Sequence, residues 1–209
     1  MLVIGLTGSI GMGKTTAARR IASHGIPVFD ADAEVHRLYE AEAAPLIEAA
    51  FPGTVAEGHV DRGLLAKAVL GDAEKLAKLE AIVHPLVRNS EREFLIRQRD
   101  AGAEMAVLEI PLLLETGADR RVDVTIVVTV SADVQRQRAL QRPGMSEQKL
   151  AAILAQQLPD AEKRERADFV VETEGQVEAT GEKIDRIIES LKGRQGSAID
   201  RWIKGEDAG

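Results

Sequence analysis

The sequence predicts a doubly wound α/β fold with a parallel sheet of five strands. Three observations support this class: short apolar runs, amphipathic helical patterns between them, and a glycine-rich loop after the first run. This alternation is typical of parallel sheets with helices on both faces. The strands are expected at residues 2–7, 26–29, 105–110, 124–130 and 169–172. The helices are expected at residues 14–24, 33–41, 73–100, 133–142, 146–157 and 176–191.

The individual strands have recognisable signals. The run at residues 2–7 is apolar and ends in a glycine loop, as expected of a strand buried on both faces. The run at residues 124–130 consists only of β-branched residues, which favour strands. The runs at 26–29, 105–110 and 169–172 are short and mostly apolar, and helical patterns separate them.

The spacing of the strands predicts how the chain is organised. We expect one domain over residues 1–192, with core segments at 1–32, 103–132 and 167–192. The stretch of about 75 residues between the second and third strands is too long for a simple crossover. It predicts an inserted subdomain, nearly all helical, at about 33–102, and a second helical excursion is expected at about 133–166. Residues 193–209 are expected to be a loosely held C-terminal tail, with at most a short helical turn at 199–203.

Composition excludes several classes of function. Only 3% of the 209 residues are aromatic and the net charge is −7, so binding of nucleic acid by base stacking or by nonspecific charge is not expected. The chain has no cysteine, which excludes disulfides and thiolate chemistry. No apolar stretch reaches the roughly 18 residues of a membrane span. We therefore expect a cytoplasmic protein that binds neither nucleic acid nor membrane, as a monomer or weak homo-oligomer.

A phosphate-binding loop follows the first strand. The pattern G-x-x-x-x-G-K-[ST] is met by Gly8, Gly13, Lys14 and Thr15, and Gly11 adds a third glycine. Glycines let the backbone approach phosphates closely, and the following helix presents free N–H groups to the anion. Lys14 is expected to reach the β- and γ-phosphates, and the Thr15 hydroxyl to ligate Mg²⁺. The loop predicts binding of a nucleoside triphosphate.

The acceptor of the phosphoryl group is indicated by two carboxylates. A guanine-reading Asn-Lys-x-Asp motif is absent, since the sole asparagine, Asn89, precedes Ser90. A small phosphotransferase remains, which needs a base for an acceptor hydroxyl. Asp30 and Asp32 end the second strand, which is expected to lie beside the first with its carboxyl end at the same crevice. One of them is expected to cap the next helix, and Asp32 is the predicted base with Asp30 in support.

Two arginines are candidates for stabilising the transferred group. Arg138 and Arg142 are four residues apart and are expected to share one face of the helix after the fourth strand. Guanidinium groups suit the charge that spreads over a phosphoryl group during transfer.

Together these motifs resemble the dephospho-coenzyme A kinase family. The matching segments, in chain order, are residues 5–16 (which add Met12 and Thr16 to the loop), 30–32, 79–88, 111–115, 135–142, 153–157 and 167–168. The resemblance implies a nucleoside-monophosphate-kinase-like P-loop NTPase fold, in which the insertion at 33–102 binds the acceptor and residues 133–166 form a lid. It also implies that ATP, with Mg²⁺, phosphorylates the ribose 3′-hydroxyl of dephospho-coenzyme A.

The resemblance also implies roles for single residues. Asp32 falls on the family's catalytic carboxylate, with Lys14 and Arg138 as further catalytic groups, and Arg142 falls on a lid arginine. The expected substrate contacts also include His84, Arg88, Leu113 and Glu115. Contacts of His36, Glu109, Gln157 and Lys163 with ligands are left open.

Two other functions remain open from the residues. One is another small-molecule P-loop kinase, acting on a nucleotide, a sugar acid or shikimate. The other is a nucleotide-binding regulator, which would hydrolyse nucleotide slowly without an acceptor and would need neither Asp32 nor the lid arginines.

Overall fold

The computed structural model describes residues 1–205 and contains two units. The first unit consists of Met1–Phe29 and the chain from Leu95 onward, and the second is Asp30–Phe94. The strands are β1 Leu2–Thr7, β2 Val28–Asp30, β3 Val55–Ala56, β4 His59–Val60, β5 Met105–Glu109, β6 Val124–Thr129 and β7 Phe169–Glu172. The helices are α1 Lys14–Ala22, α2 Ala31–Tyr39, α3 Ala44–Ala50, α4 Arg62–Val69, α5 Ala73–Asp100, α6 Ala132–Leu140, α7 Glu147–Leu154, α8 Asp160–Arg166, α9 Val177–Leu191 and α10 Ala198–Lys204.

The main sheet has five strands in the order β2-β5-β1-β6-β7. The ladders β1–β5, β1–β6 and β6–β7 are parallel, and the predicted fold class is confirmed. The expectation that the second strand lies beside the first is wrong, because β5 separates β2 from β1. The physical reason is burial: β1 is buried along its whole length and pairs on both sides. The three-residue β2 has an exposed last residue and takes the edge, where few pairs are needed.

The core of the first unit lies where helices cover the sheet. Ile4 and Leu6 of β1 are 0% exposed and belong to one cluster with Ile21 of α1 and with Ile184 and Ile188 of α9. Burying branched aliphatic side chains on both sheet faces supplies most of the favourable free energy of folding. It holds β1 rigidly, and the loop that follows β1 starts from this fixed strand.

The second unit has its own core around Leu38, Ile47, Phe51 and Leu65. It also contains a small antiparallel hairpin, β3–β4, which the expectation of a nearly all-helical insertion missed. The hairpin turns at Glu57 and Gly58, whose φ angles are 52° and 84°. Two successive positive φ angles suit a two-residue turn between antiparallel strands, and glycine at the second position permits it.

Helix α5 runs without interruption through Pro85. A proline lacks the backbone N–H of a helical hydrogen bond and therefore often starts or kinks a helix. The helix instead begins at Ala73, where Asp72 accepts hydrogen bonds from the N–H groups of Glu74 and Lys75 at 3.1 Å each. The proline therefore does not mark the start of the helix.

The C-terminal segment is packed on the first unit, so the expectation of a loosely held tail is wrong for residues 193–205. Trp202 of α10 is 1% exposed, and its indole Nε1 donates to the carbonyl of Arg121 at 2.8 Å. Asp123 Oδ1 accepts from the N–H groups of Ser197 and Ala198, at 2.8 Å each. Burial of the only tryptophan outweighs the polar composition of the segment. Residues 206–209 of the predicted tail lie outside the described residues.

Among residues 1–205, no helix combines the length and apolarity of a membrane span.

Candidate active site

The phosphate loop connects β1 to α1, as the motif predicts. Gly13 is the residue before α1, with φ 86°, and no side chain caps the helix, so the first N–H groups of α1 face the loop. Gly8 lies against β6: a Cβ atom there would be 2.5 Å from Val128 Cγ2 and 2.6 Å from the Val128 carbonyl oxygen. Only glycine fits at these two positions, so the loop's path depends on their lack of a side chain.

Inside the loop, Lys14 Nζ donates to the carbonyl of Gly8 at 2.6 Å. The lysine thus lies across the loop, where phosphates of a nucleotide would lie. The predicted contact through Met12 is restricted to its backbone, because its side chain is 2% exposed and belongs to the core. Thr16 is half-buried, and its N–H donates to the carbonyl of Gly13 at 3.1 Å.

The magnesium ion that the resemblance implies fits this loop as an ion carried by the nucleotide. No group of three or more metal-binding side chains occurs within residues 1–205. Mg²⁺ keeps several waters and is commonly held by substrate phosphates and one or two protein oxygens. The exposed hydroxyl of Thr15, on the first turn of α1, is such an oxygen. Glu109 is the last residue of β5, pairs with Leu6 of β1 and is 8% exposed. It therefore lies at the carboxyl end of the sheet, where β1 leads into the phosphate loop.

The lid arginines are separated by the structure. Arg138 is half-buried in α6; its Nη1 donates to Thr173 Oγ1 at 3.1 Å and its Nη2 to the Thr173 carbonyl at 2.9 Å. Arg142 is exposed and lies beyond α6, which ends at Leu140, so the expectation of a shared helical face is wrong. Pro143 disfavours the helical conformation of the residue before it, which explains the early end.

Two glutamines from the chain after β6 bind the backbone of the phosphate loop. Gln135 of α6 is 8% exposed, and its Nε2 donates to the Ile10 carbonyl at 3.0 Å. The Ile10 N–H donates to Gln157 Oε1 at 3.3 Å. Sequence reasoning left Gln157 open and missed Gln135. Nothing local distinguishes Gln135 from its neighbours, because its partner is 125 residues away.

Leu113 and Glu115, which were predicted to contact the substrate, contact other residues of the protein in the structure. Leu113 is 0% exposed and packs over Gly5, where a Cβ would be 2.7 Å from Leu113 Cδ2, so the substrate contact predicted for this residue would have to use its backbone. Glu115 Oε1 accepts from the Leu158 N–H at 2.9 Å and lies 2.7 Å from Nζ of the fully buried Lys163. This contact is an ion pair, and Lys163 Nζ has no hydrogen-bond partner within residues 1–205. Glu115 therefore binds the segment that contains Leu158 and Lys163, although its side chain is still 12% exposed.

The second unit contains a cavity of about 470 Å³ that includes Asp32. Its other lining residues are Val35, His36, Tyr39, Arg62, Leu65, Ala66, Val69 and Leu79. Asp32 and His36 are one turn apart on α2, so both side chains reach the same cavity. Asp30 is the cap of α2, because its Oδ1 accepts from the Ala33 N–H at 3.0 Å, so the predicted capping role belongs to Asp30.

Arg62 and Tyr39 are polar residues of this cavity that sequence reasoning missed. Arg62 is exposed, and its Nη1 lies 3.5 Å from His36 Nδ1. Burial raises the pKa of Tyr39 above its ordinary value, with the charge of Arg62 acting in the opposite direction, so the phenol stays neutral at neutral pH. His84 is exposed and Arg88 half-buried on α5, and neither is among the described residues that line this cavity.

A glycine-rich phosphate loop on a central parallel strand, an arginine on the helix after β6, and a separate unit with a carboxylate in a cavity define a P-loop kinase. The dephospho-CoA kinase family model matches residues 2–179. The chain belongs to the dephospho-CoA kinase family.

Individual relatives agree with this assignment. A dephospho-CoA kinase of Mesorhizobium japonicum is 59% identical over 197 residues, which cover 94% of this chain and all of the relative. A solved protein of Thermus thermophilus is 36% identical, with a TM-score of 0.80 and coverage of 92% of this chain and 98% of that chain. A dephospho-CoA kinase from Campylobacter jejuni, at 24% identity, shares the fold with a TM-score of 0.63 and coverage of 90% and 96%.

Proposed function

We propose that the chain transfers the γ-phosphoryl group of ATP to the ribose 3′-hydroxyl of dephospho-coenzyme A, giving coenzyme A and ADP. The observation that carries this proposal is that a member of this family contains both a phosphate loop and a cavity that includes Asp32. Such a reaction is the last step of coenzyme A biosynthesis.

The first unit supplies the donor side of the reaction. The N–H groups of the loop and of α1, together with Lys14, bind the phosphates, and Thr15 would hold Mg²⁺, which neutralises charge on the β- and γ-phosphates. Arg138 contributes a guanidinium group to the charge that develops on the transferred phosphoryl group. We propose residues 133–166 as the lid that excludes water during transfer.

The second unit supplies the acceptor side. Asp32 takes the proton of the acceptor hydroxyl while the hydroxyl oxygen bonds to the γ-phosphorus. The bond between this phosphorus and the β–γ bridging oxygen breaks, which releases ADP. The cavity volume of about 470 Å³ is within the roughly 300–1,000 Å³ of small-molecule sites. Arg62 and His36 are the cationic and hydrogen-bonding groups of its lining, and they suit the acceptor's phosphates.

The acceptor is tested by measuring ADP release with a panel of hydroxyl compounds. Dephospho-coenzyme A is expected to stimulate release, while AMP, shikimate and gluconate are not. Stimulation by one of the other acceptors alone would contradict the proposed substrate. Release that no acceptor changes would instead favour a nucleotide-binding regulator. We also propose a cytoplasmic location. The protein is expected to be a monomer or weak homo-oligomer, and light scattering of the purified protein can check this oligomeric state.

Replacing Arg62 by Ala is expected to raise KM for dephospho-coenzyme A about tenfold and to leave KM for ATP unchanged. A charge-assisted contact to phosphate contributes roughly 1.5–3 kcal/mol, and the lower end of this range, expected for the exposed Arg62, corresponds to about a tenfold change. The measurement is steady-state kinetics with each substrate varied in turn. Arg37→Ala is the matched control, because Arg37 pairs with Glu34 and Glu42 and does not line the cavity. An equal rise in KM for both variants would contradict a contact between Arg62 and the acceptor.

A further inference from the structure

Thr173, the residue after β7, joins the lid arginine to the phosphate loop. It is 5% exposed, and its hydroxyl donates to the carbonyl of Met12 at 2.9 Å. The same hydroxyl oxygen accepts from Nη1 of Arg138 at 3.1 Å, while Nη2 donates to the Thr173 carbonyl at 2.9 Å. A carbonyl oxygen only accepts, so the hydroxyl proton points at Met12 and a lone pair is left for the arginine. All three hydrogen bonds are therefore compatible at once.

The bond to Met12 sets the direction of one donor in the phosphate loop. The peptide between Met12 and Gly13 is planar and trans, so its C=O and N–H point in opposite directions. Because the carbonyl is held by Thr173, the Gly13 N–H faces away from it. The approach is as close as glycine permits, since a Cβ on Gly13 would be 2.8 Å from Thr173 Oγ1.

The bonds to Arg138 set the plane of its guanidinium group. An arginine has five N–H donors, and two of them are used at Thr173. Three remain for phosphate oxygens, so the anchored side chain can bind a phosphoryl group without releasing Thr173. Two parallel contacts also remove most of the rotational freedom of a long side chain, which would otherwise be lost when the transition state forms.

We propose that Thr173 is a positioning residue that couples Arg138 to the Met12–Gly13 peptide, so that loop and guanidinium group are oriented together for phosphoryl transfer. This inference rests on the proposed kinase function. Thr173 acts through Arg138 and the loop, and it exchanges no proton with the substrates. The hydroxyl is the essential group, and the methyl group of the threonine is not.

The test compares Thr173→Val, which loses the hydroxyl at nearly constant volume, with Thr173→Ser, which keeps it. The valine variant is expected to lose roughly 10- to 100-fold in kcat, which is less than the roughly 10²–10³-fold for removal of a donor that contacts the transition state, because Thr173 acts through Arg138. The serine variant is expected to stay within about threefold of the wild-type kcat. An equal loss in both variants would show that packing, and not the hydroxyl, is what matters, and would overturn the proposal. Thr173→Ala repeats the comparison if the valine variant does not fold.

A double-mutant cycle with Arg138→Gln separates positioning from simple structural support. If Thr173 acts through Arg138, Thr173→Val costs several-fold less in the Arg138→Gln background than in the wild type. The same loss in both backgrounds overturns the coupling. Arg136→Gln is the control, because Arg136 lies on the same helix but pairs with Glu147; here the full effect of Thr173→Val is expected to persist.

The cycle is measured with whichever acceptor the wild-type protein phosphorylates. Failure of the wild type to phosphorylate dephospho-coenzyme A would contradict the proposed function alone. Additive effects in an active enzyme would contradict the coupling alone. The two failures can therefore be told apart.

Discussion

Replacing Asp32 by Asn is expected to lower kcat by roughly 10²–10⁴-fold, because the enzyme loses the group that takes the proton of the acceptor hydroxyl. Asparagine has the same size and keeps a hydrogen-bonding oxygen, but it does not accept a proton at neutral pH. The phosphate loop belongs to the other unit, so ATP affinity is expected to stay close to that of the wild type. The measurements are kcat with dephospho-coenzyme A and the Kd for ATP by calorimetry.

Asp61→Asn is the matched control for this change. Asp61 lies in the same unit and caps α4, where its Oδ1 accepts from the N–H groups of Gly63 and Leu64. Asparagine is as good a cap as aspartate, so this variant is expected to keep its fold and most of its activity. An Asp32→Asn enzyme with near wild-type kcat would remove Asp32 from the mechanism. Loss of ATP binding in that variant would show that the substitution disturbs more than proton transfer.

Replacing Lys163 by Met is expected to lower the free energy of unfolding by roughly 3–5 kcal/mol, because the Glu115 carboxylate is left with an uncompensated charge. Lys163 is 0% exposed and Glu115 12% exposed, at a separation of 2.7 Å. The burial makes the missing charge costly, since little water can replace the lysine. The measurement is urea unfolding at neutral pH, followed by circular dichroism.

Two further variants make this prediction sharper. Adding Glu115→Gln to Lys163→Met removes the remaining charge and keeps an acceptor for the Leu158 N–H, so most of the lost stability should return. Lys183→Met breaks an ion pair with Glu172 whose side chains are 38% and 61% exposed, and it should cost less than about 1 kcal/mol. If Lys163→Met costs no more than Lys183→Met, the buried pair does not stabilise the segment that contains Leu158 and Lys163.

Both predictions depend on residues that the sequence indicated only in part. Asp32 was identified from its spacing to Asp30 and from the family resemblance, and the cap formed by Asp30 is a contact over three residues. Such local features are predictable because the partners are fixed by adjacent backbone. Glu115 was instead expected at the substrate. Its pairing with Lys163 depends on how α8 packs, which no local pattern specifies.

The sequence by itself determined the phosphate loop, the fold class, the strands of the main sheet with most of the helices between them, and the family. The loop, the fold class and these elements follow from contiguous spacing and from hydrophobic periodicity, which act over a few residues, whereas the family was identified by the resemblance of the motifs. Only the tertiary structure decided the strand order, the packed α10, the pairing of Arg62 with His36, and the contact of Thr173 with Met12. The partners in that last contact are 161 residues apart, and those of Arg138 and Thr173 are 35 apart. Contacts at such separations arise because the chain buries apolar surface as a whole, and the polar groups brought together by this burial must then satisfy one another.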